Sequence, residues 1–170
     1  MTSPINRLSR RVSMALGIGR QTADTDESQP TPTLQVVLPG GEIRADVPLM
    51  QAYGFASRPV PGSDIVVGFL AGDRTRGVAI ACGDQRGRPD YLEPGEVAVY
   101  HPKTGSCVYF RSDGSMALRP NNKKLEIDAD ITVNGSLEAT GDVTAGSISL
   151  ESHKHTGVKA GSDETGAPTS

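Results

Sequence analysis

From Leu125 to Ala145 the chain alternates without a break, and this stretch limits the possible folds more than any other. The odd positions are Leu125, Ile127, Ala129, Ile131, Val133, Gly135, Leu137, Ala139, Gly141, Val143 and Ala145, all apolar or glycine. The even positions, Glu126 through Thr144, are all polar. A period of two marks extended backbone with one buried face. The run is far longer than the usual strand of ~5–6 residues. Asn134-Gly135 offers a hairpin turn. A two-residue turn there would pair Val133 with Ser136 on one face, yet the apolar series runs on in phase to Leu137. A thin ribbon cannot stand alone in water, because its edges are unpaired and its apolar face has nothing to pack on. Other copies of the same ribbon solve both problems. Their small apolar side chains fill a shared axis, and the acidic and hydroxyl face stays wet. The expectation is an intertwined fibrous oligomer; the competing reading is the edge of a monomeric β-sandwich.

Composition agrees with an extended, turn-rich protein. The 170 residues are 36% hydrophobic and 4% aromatic with no Trp, which is thin for a single compact core. Twenty glycines and twelve prolines imply many turns, so the fold class expected is all-β with a short N-terminal helix. A net charge of −3 leaves no global footprint for nucleic acid, which is not expected as a partner. The charge is uneven: Arg7, Arg10, Arg11 and Arg20 open the chain without an acid, and the region after Pro120 is acidic. No apolar run approaches the ~20 residues of a membrane span. The N-terminus also lacks the apolar core of a signal peptide, so synthesis and folding in a cytoplasm are expected. Cys82 and Cys107 are then expected to be free thiols.

Four segments follow in order. Residues 1–32 read as a helix and a linker. Ile5, Leu8, Val12 and Leu16 recur at helical spacing over 4–16, and Gly17 and Gly19 end the helix. This basic helix either docks on a partner or an anionic surface, or is simply solvated. Residues 33–95 read as a small barrel of the OB type, with short strands at 34–38, 42–46, 65–70 and 78–82 separated by glycine turns. Its few aromatics, Tyr53, Phe55 and Phe69, make a poor stacking platform for bases. Residues 96–150 carry short strands at 97–100, 108–110 and 116–118 and then the alternating stretch, whose phase flips at Gly146. Residues 151–170 hold Ser-His-Lys-His and a tail without core-forming residues.

The chain lacks a phosphate-binding loop, a GxSxG elbow, HExxH and CxxC, so no enzyme activity is expected. His101 beside Pro102 reads as a surface histidine. His153 and His155 lie two apart, so in extended backbone both imidazoles project from one face. One chain offers too few ligands for a firm metal site, and two surface histidines are the plain alternative. Three chains on an axis would offer six nitrogens, which suits an octahedral transition ion such as iron(II), cobalt or nickel better than tetrahedral zinc.

The chain resembles the central spike proteins of contractile-tailed bacteriophages, the baseplate assembly protein V family, and within it the phage Mu type. The resemblance covers roughly residues 33–170. It rests on Gln51-Ala-Tyr53-Gly54-Phe55, Pro59-Val-Pro61-Gly62, Gly72-Asp73-Arg74, Arg88-Pro89 and Leu92-Glu-Pro94-Gly95-Glu96-Val97-Ala98. At the other end it rests on Ser152-His153-Lys154-His155-Thr156-Gly157. It implies a homotrimer with an OB-fold collar, an intertwined triple-stranded β-helix and a pointed tip. There His153 and His155 of three chains would bind one iron ion. It also implies calcium and chloride ions in the spike, for which no residue of this sequence is singled out. The implied role is a mechanical spike at the baseplate tip of the virion, assembled in the host cytoplasm. Its partners would be the baseplate hub and tail tube proteins, and it would contact the bacterial outer membrane. The alternatives are the spike of a phage-tail-like bacteriocin, an OB-fold module for carbohydrate or nucleic acid, and a mononuclear metal enzyme using His153 and His155.

Overall fold

The computed structural model describes residues 4–157 and 161. It divides into two units, residues 1–125 and 126–170. The tail beyond Gly157, expected to lack core-forming residues, lies outside the described residues apart from Gly161. The fold is mostly β with one short helix, α1 (Pro4–Ser13).

The first unit is built on a five-stranded antiparallel sheet. Its strands are β1 (Leu16–Gln21), β2 (Thr33–Leu38), β3 (Glu42–Pro48), β4 (Asp64–Phe69) and β5 (Gly77–Gly83), in the order β3-β2-β1-β4-β5. Strands β2 and β4 bury alternate residues, as period-two sequences must. Leu34, Val36 and Leu38 of β2 meet Ile65, Val67 and Phe69 of β4, with Val47, Leu49 and Ala79, in one core. The sheet curls into a half-barrel. Past the end of β3, Leu49 bridges to Ala79 of β5, and the Met50 N–H donates to the Ala79 carbonyl at 2.9 Å.

Strand β1 departs from the sequence expectation. Helix was expected as far as residue 16, with Gly17 and Gly19 as its terminators and a linker from residue 20. Helix α1 instead ends at Ser13, and both glycines lie in the central strand of the sheet. The reason is steric. A Cβ at Gly19 would sit 2.3 Å from the Val37 carbonyl oxygen and 2.8 Å from Val36 Cγ1. These glycines admit close approach of neighbouring backbone, which is one meaning of glycine within a strand. The following residues are also better ordered than a linker. Gln21 is buried, and its Nε2 donates to the Ala23 carbonyl at 2.9 Å, Thr25 Oγ1 at 3.1 Å and the Pro59 carbonyl at 3.2 Å.

A three-stranded antiparallel sheet completes the unit: β6 (Val97–Tyr100), β7 (Cys107–Phe110) and β8 (Met116–Arg119). One face is apolar throughout. Val97, Phe110 and Met116 form one cross-strand row and Val99, Val108 and Leu118 the next. All but Val108 in these rows are exposed. The other face buries Cys107 and Tyr109. Cys107 and the exposed Cys82 are free thiols, as expected.

The Tyr109 hydroxyl donates to Glu96, which also accepts from the backbone N–H groups of Glu93 and Ser112. The Tyr109 hydroxyl and then the two backbone donors hold the Glu96 carboxyl below its usual range. Glu96 in turn pushes the phenol up to about 12, with burial adding to the effect. Because the folded value lies above the unfolded ~10, the phenol's contribution to stability is present below pH ~10 and is lost as the pH rises towards 12. The depressed Glu96 works the other way: its contribution is present above the unfolded ~4.3 and is lost as pH falls through its folded value. In a spectrophotometric titration Tyr109 is expected to ionise near pH 12, and Glu96→Gln to bring that step down towards ~10. An unmoved step would break the assignment.

In the second unit, residues 126–143 contain no strand pairing among the described residues. The hairpin at Asn134-Gly135 does not form, in line with the phase of the apolar series. The apolar series stands open to solvent, with Ile131 64% and Leu137 78% exposed.

Candidate functional site

The second unit's regular structure is a small hairpin just ahead of the two histidines. Strands β9 (Thr144–Ala145) and β10 (Ile148–Ser149) pair antiparallel, with Ala145 opposite Ile148. The turn between them uses Gly146 at φ +61°, a left-handed conformation that favours glycine. The change of phase seen at Gly146 in the sequence is therefore a chain reversal. Beyond the strands, the Leu150 N–H donates to the Val143 carbonyl at 2.9 Å and the Glu151 N–H to Asp142 Oδ1 at 3.1 Å. The Ser149 hydroxyl, and then the Glu151 N–H, hold the Asp142 carboxyl below its usual range. The Ser152 N–H donates to Ser149 Oγ at 3.0 Å. Ser149 and Asp142 thus fix the segment that presents the histidines. Sequence reasoning singled out neither. The available signal was a short polar side chain on each side of a glycine turn.

His153 is held at two points. Its backbone N–H donates to the Ser149 carbonyl at 3.1 Å. Its Nδ1 lies 3.0 Å from that oxygen and 3.1 Å from the Leu150 carbonyl. A carbonyl only accepts, so the network assigns the proton to Nδ1. Nε2 then carries the lone pair, which is the arrangement a metal-binding imidazole needs. The His155 ring stands edge-on to that of His153, with centroids 5.2 Å apart and planes at 79°. The two expected ligands are therefore neighbours. Among the described residues no group of three or more His, Cys, Asp or Glu gathers to hold a metal ion. Within one chain the two imidazoles stand side by side without a third such group.

The first unit holds a separate open cleft of about 1140 Å³, lined in part by Val60, Cys82, Tyr100, His101, Cys107 and Leu118. His101 Nδ1 accepts from the Thr104 N–H at 3.1 Å and so closes the turn after β6. This is a structural task, matching its reading as a surface histidine. Tyr53 and Phe55 are exposed on a loop that the Gln51 side chain closes by hydrogen bonds to both the backbone and the hydroxyl of Ser57. Neither place assembles a nucleophile with a base and a third orienting group.

Comparison with known proteins agrees with this division of the chain. Residues 21–86 match the family described as Bacteriophage Mu Gp45, N-terminal. Residues 147–169, which begin inside the hairpin turn and include both histidines, match the GpV Apex motif. The baseplate puncturing device gp45 of Escherichia phage Mu is 31% identical over 146 residues, which span 83% of this chain and 73% of that protein. With a match at each end and a relative aligned along most of its length, the chain belongs to the bacteriophage Mu Gp45 family.

Proposed function

We propose that this protein is the puncturing spike of a contractile phage-tail baseplate, working mechanically and without enzymatic chemistry. The observation that carries the reading is the alternating stretch, whose residues 127–143 show no strand pairing among the described residues, followed after one short hairpin by the apex histidines. Three copies account for it. The curled sheet of the first unit is then an OB-fold collar. The odd positions of 125–145 would face a shared axis as the inner surface of a triple-stranded β-helix, and the apolar face of β6–β8 would be covered by neighbouring chains. The backbone groups left unpaired in one chain would be satisfied by its neighbours, which makes the shaft stiff under axial load.

At the tip, His153 and His155 of three chains would hold one transition-metal ion through six imidazole nitrogens, and iron suits that donor set. The ion would tie together three chain ends that otherwise fray. The protein's own part is to fix the His153 tautomer through Ser149 and Leu150 and to set His155 beside it. The spike would sit in the virion at the baseplate, bound to hub and tube proteins, and would meet the bacterial outer membrane when the tail contracts.

Sedimentation equilibrium is expected to give three times the chain mass, and elemental analysis about one iron per trimer. His153→Ala/His155→Ala should lose the metal and remain trimeric, because the shaft above keeps its own apolar interior. Acidification should also release the ion, since neutral imidazole is the ligand form. A stable monomer, or a wild-type trimer without metal after chelator-free purification, would count against the reading.

A further inference from the structure

We propose that α1 is a membrane-surface helix that lays its apolar stripe on an anionic lipid bilayer. Ile5, Leu8 and Val12 recur at helical spacing and are 76%, 65% and 68% exposed. Leu16 and Ile18 of β1, the strand that follows, are exposed as well. The helix is anchored at its C-terminal end. The Arg11 backbone packs against Gly72, where a Cβ would meet the Arg11 carbonyl oxygen at 2.5 Å. The Phe69 N–H donates to the Ala15 carbonyl at 2.8 Å just beyond the helix. One end is thus fixed while the stripe faces outward, so little order remains to be imposed on binding.

Charge identifies the occupant. The segment before Asp24 contains Arg7, Arg10, Arg11 and Arg20 and no carboxylate. A short helix with an apolar stripe and only cationic charge has the composition of an interfacial helix. A second copy is a poor occupant, because it would gather arginines from several chains with no acid in the segment to neutralise them. A bilayer containing phosphatidylglycerol supplies both an apolar layer and a dense negative surface. The three arginines of the helix segment should strengthen binding to such a surface about a hundredfold over a neutral one. This surface is distinct from the apex, and the inference does not rest on the puncturing role.

The test is flotation of the full-length protein with vesicles of equimolar phosphatidylcholine and phosphatidylglycerol, against vesicles of phosphatidylcholine alone. Wild type is expected to bind the anionic vesicles about a hundredfold more tightly, and added salt should erode the difference. Leu8→Glu should abolish binding at unchanged oligomeric mass, and Arg11→Gln should weaken it about fivefold. Failure of wild type to float would overturn the proposal and leave the stripe to a protein. A change of mass in Leu8→Glu would assign the stripe to another copy. Full binding by Leu8→Glu would place the lipid contact elsewhere and refute the role of α1.

Discussion

Ile131→Asp is expected to prevent trimer assembly, while Thr132→Asp, one residue on, leaves it intact. Both positions are exposed in the single chain, so neither change should disturb the isolated protomer. The difference arises on association. In the proposed trimer, odd positions of the alternating stretch would turn towards the shared axis and even positions towards water. A carboxylate at residue 131 would bring three unpaired charges into one apolar interior. Leaving a single buried charge unpaired costs about 3–5 kcal/mol, and three like charges raise that further. Light scattering after size exclusion would read the outcome directly. Equal trimer yields from the two variants would show that the faces are assigned wrongly or that the stretch does not mediate assembly.

The second large effect is expected at Gly19. Gly19→Ala places a methyl group 2.3 Å from the Val37 carbonyl oxygen, a backbone atom that can retreat only by parting β1 from β2. The cost belongs at the upper end for overpacking, about 3 kcal/mol. For a unit of this size that corresponds to a fall in melting temperature of roughly 12–20 °C. Gly83→Ala is the control, because nothing lies within 4 Å of the added group. It should stay within about 0.5 kcal/mol of wild type. If both substitutions melt alike, Gly19 has no steric role in the sheet.

These two sites show where the sequence was readable. The period of two over residues 125–145 is plain in the sequence, yet in the single chain only Thr144 and Ala145 of that stretch pair as strand among the described residues, because its apolar face has nothing of its own chain to pack on. Strands β2, β4, β5, β6, β7 and β8 were located to within a residue at each end, because apolar runs between glycine, proline and asparagine turns mark them. Strand β1 was missed because its inward positions are Gly17, Gly19 and the polar Gln21, and the meaning of the glycines depends on what lies opposite. A glycine after an amphipathic helix reads locally as a stop, and only the position of Val37 shows that it is a close contact. At the apex, spacing alone placed His153 beside His155. The carbonyls that set the His153 tautomer come from a chain reversal, which residue identity does not display.

A single chain carries residues 127–143 without strand pairing among the described residues. In the proposed trimer, closing this region would be an encounter between molecules, whose speed depends on local concentration, as subunit assembly does. Until the partners arrive, isoleucine and valine lie open in extended backbone, a standing invitation to form the wrong sheet. Asp128, Asp130, Glu138 and Asp142 alternate along the chain with those apolar residues and charge the opposite face, in the way charged gatekeepers flank sticky strands. The same carboxylates that keep one side of the ribbon wet would thus also work earlier, by keeping waiting chains apart. Substituting serine for them should leave the finished assembly little changed and lower the yield of soluble protein on the way to it.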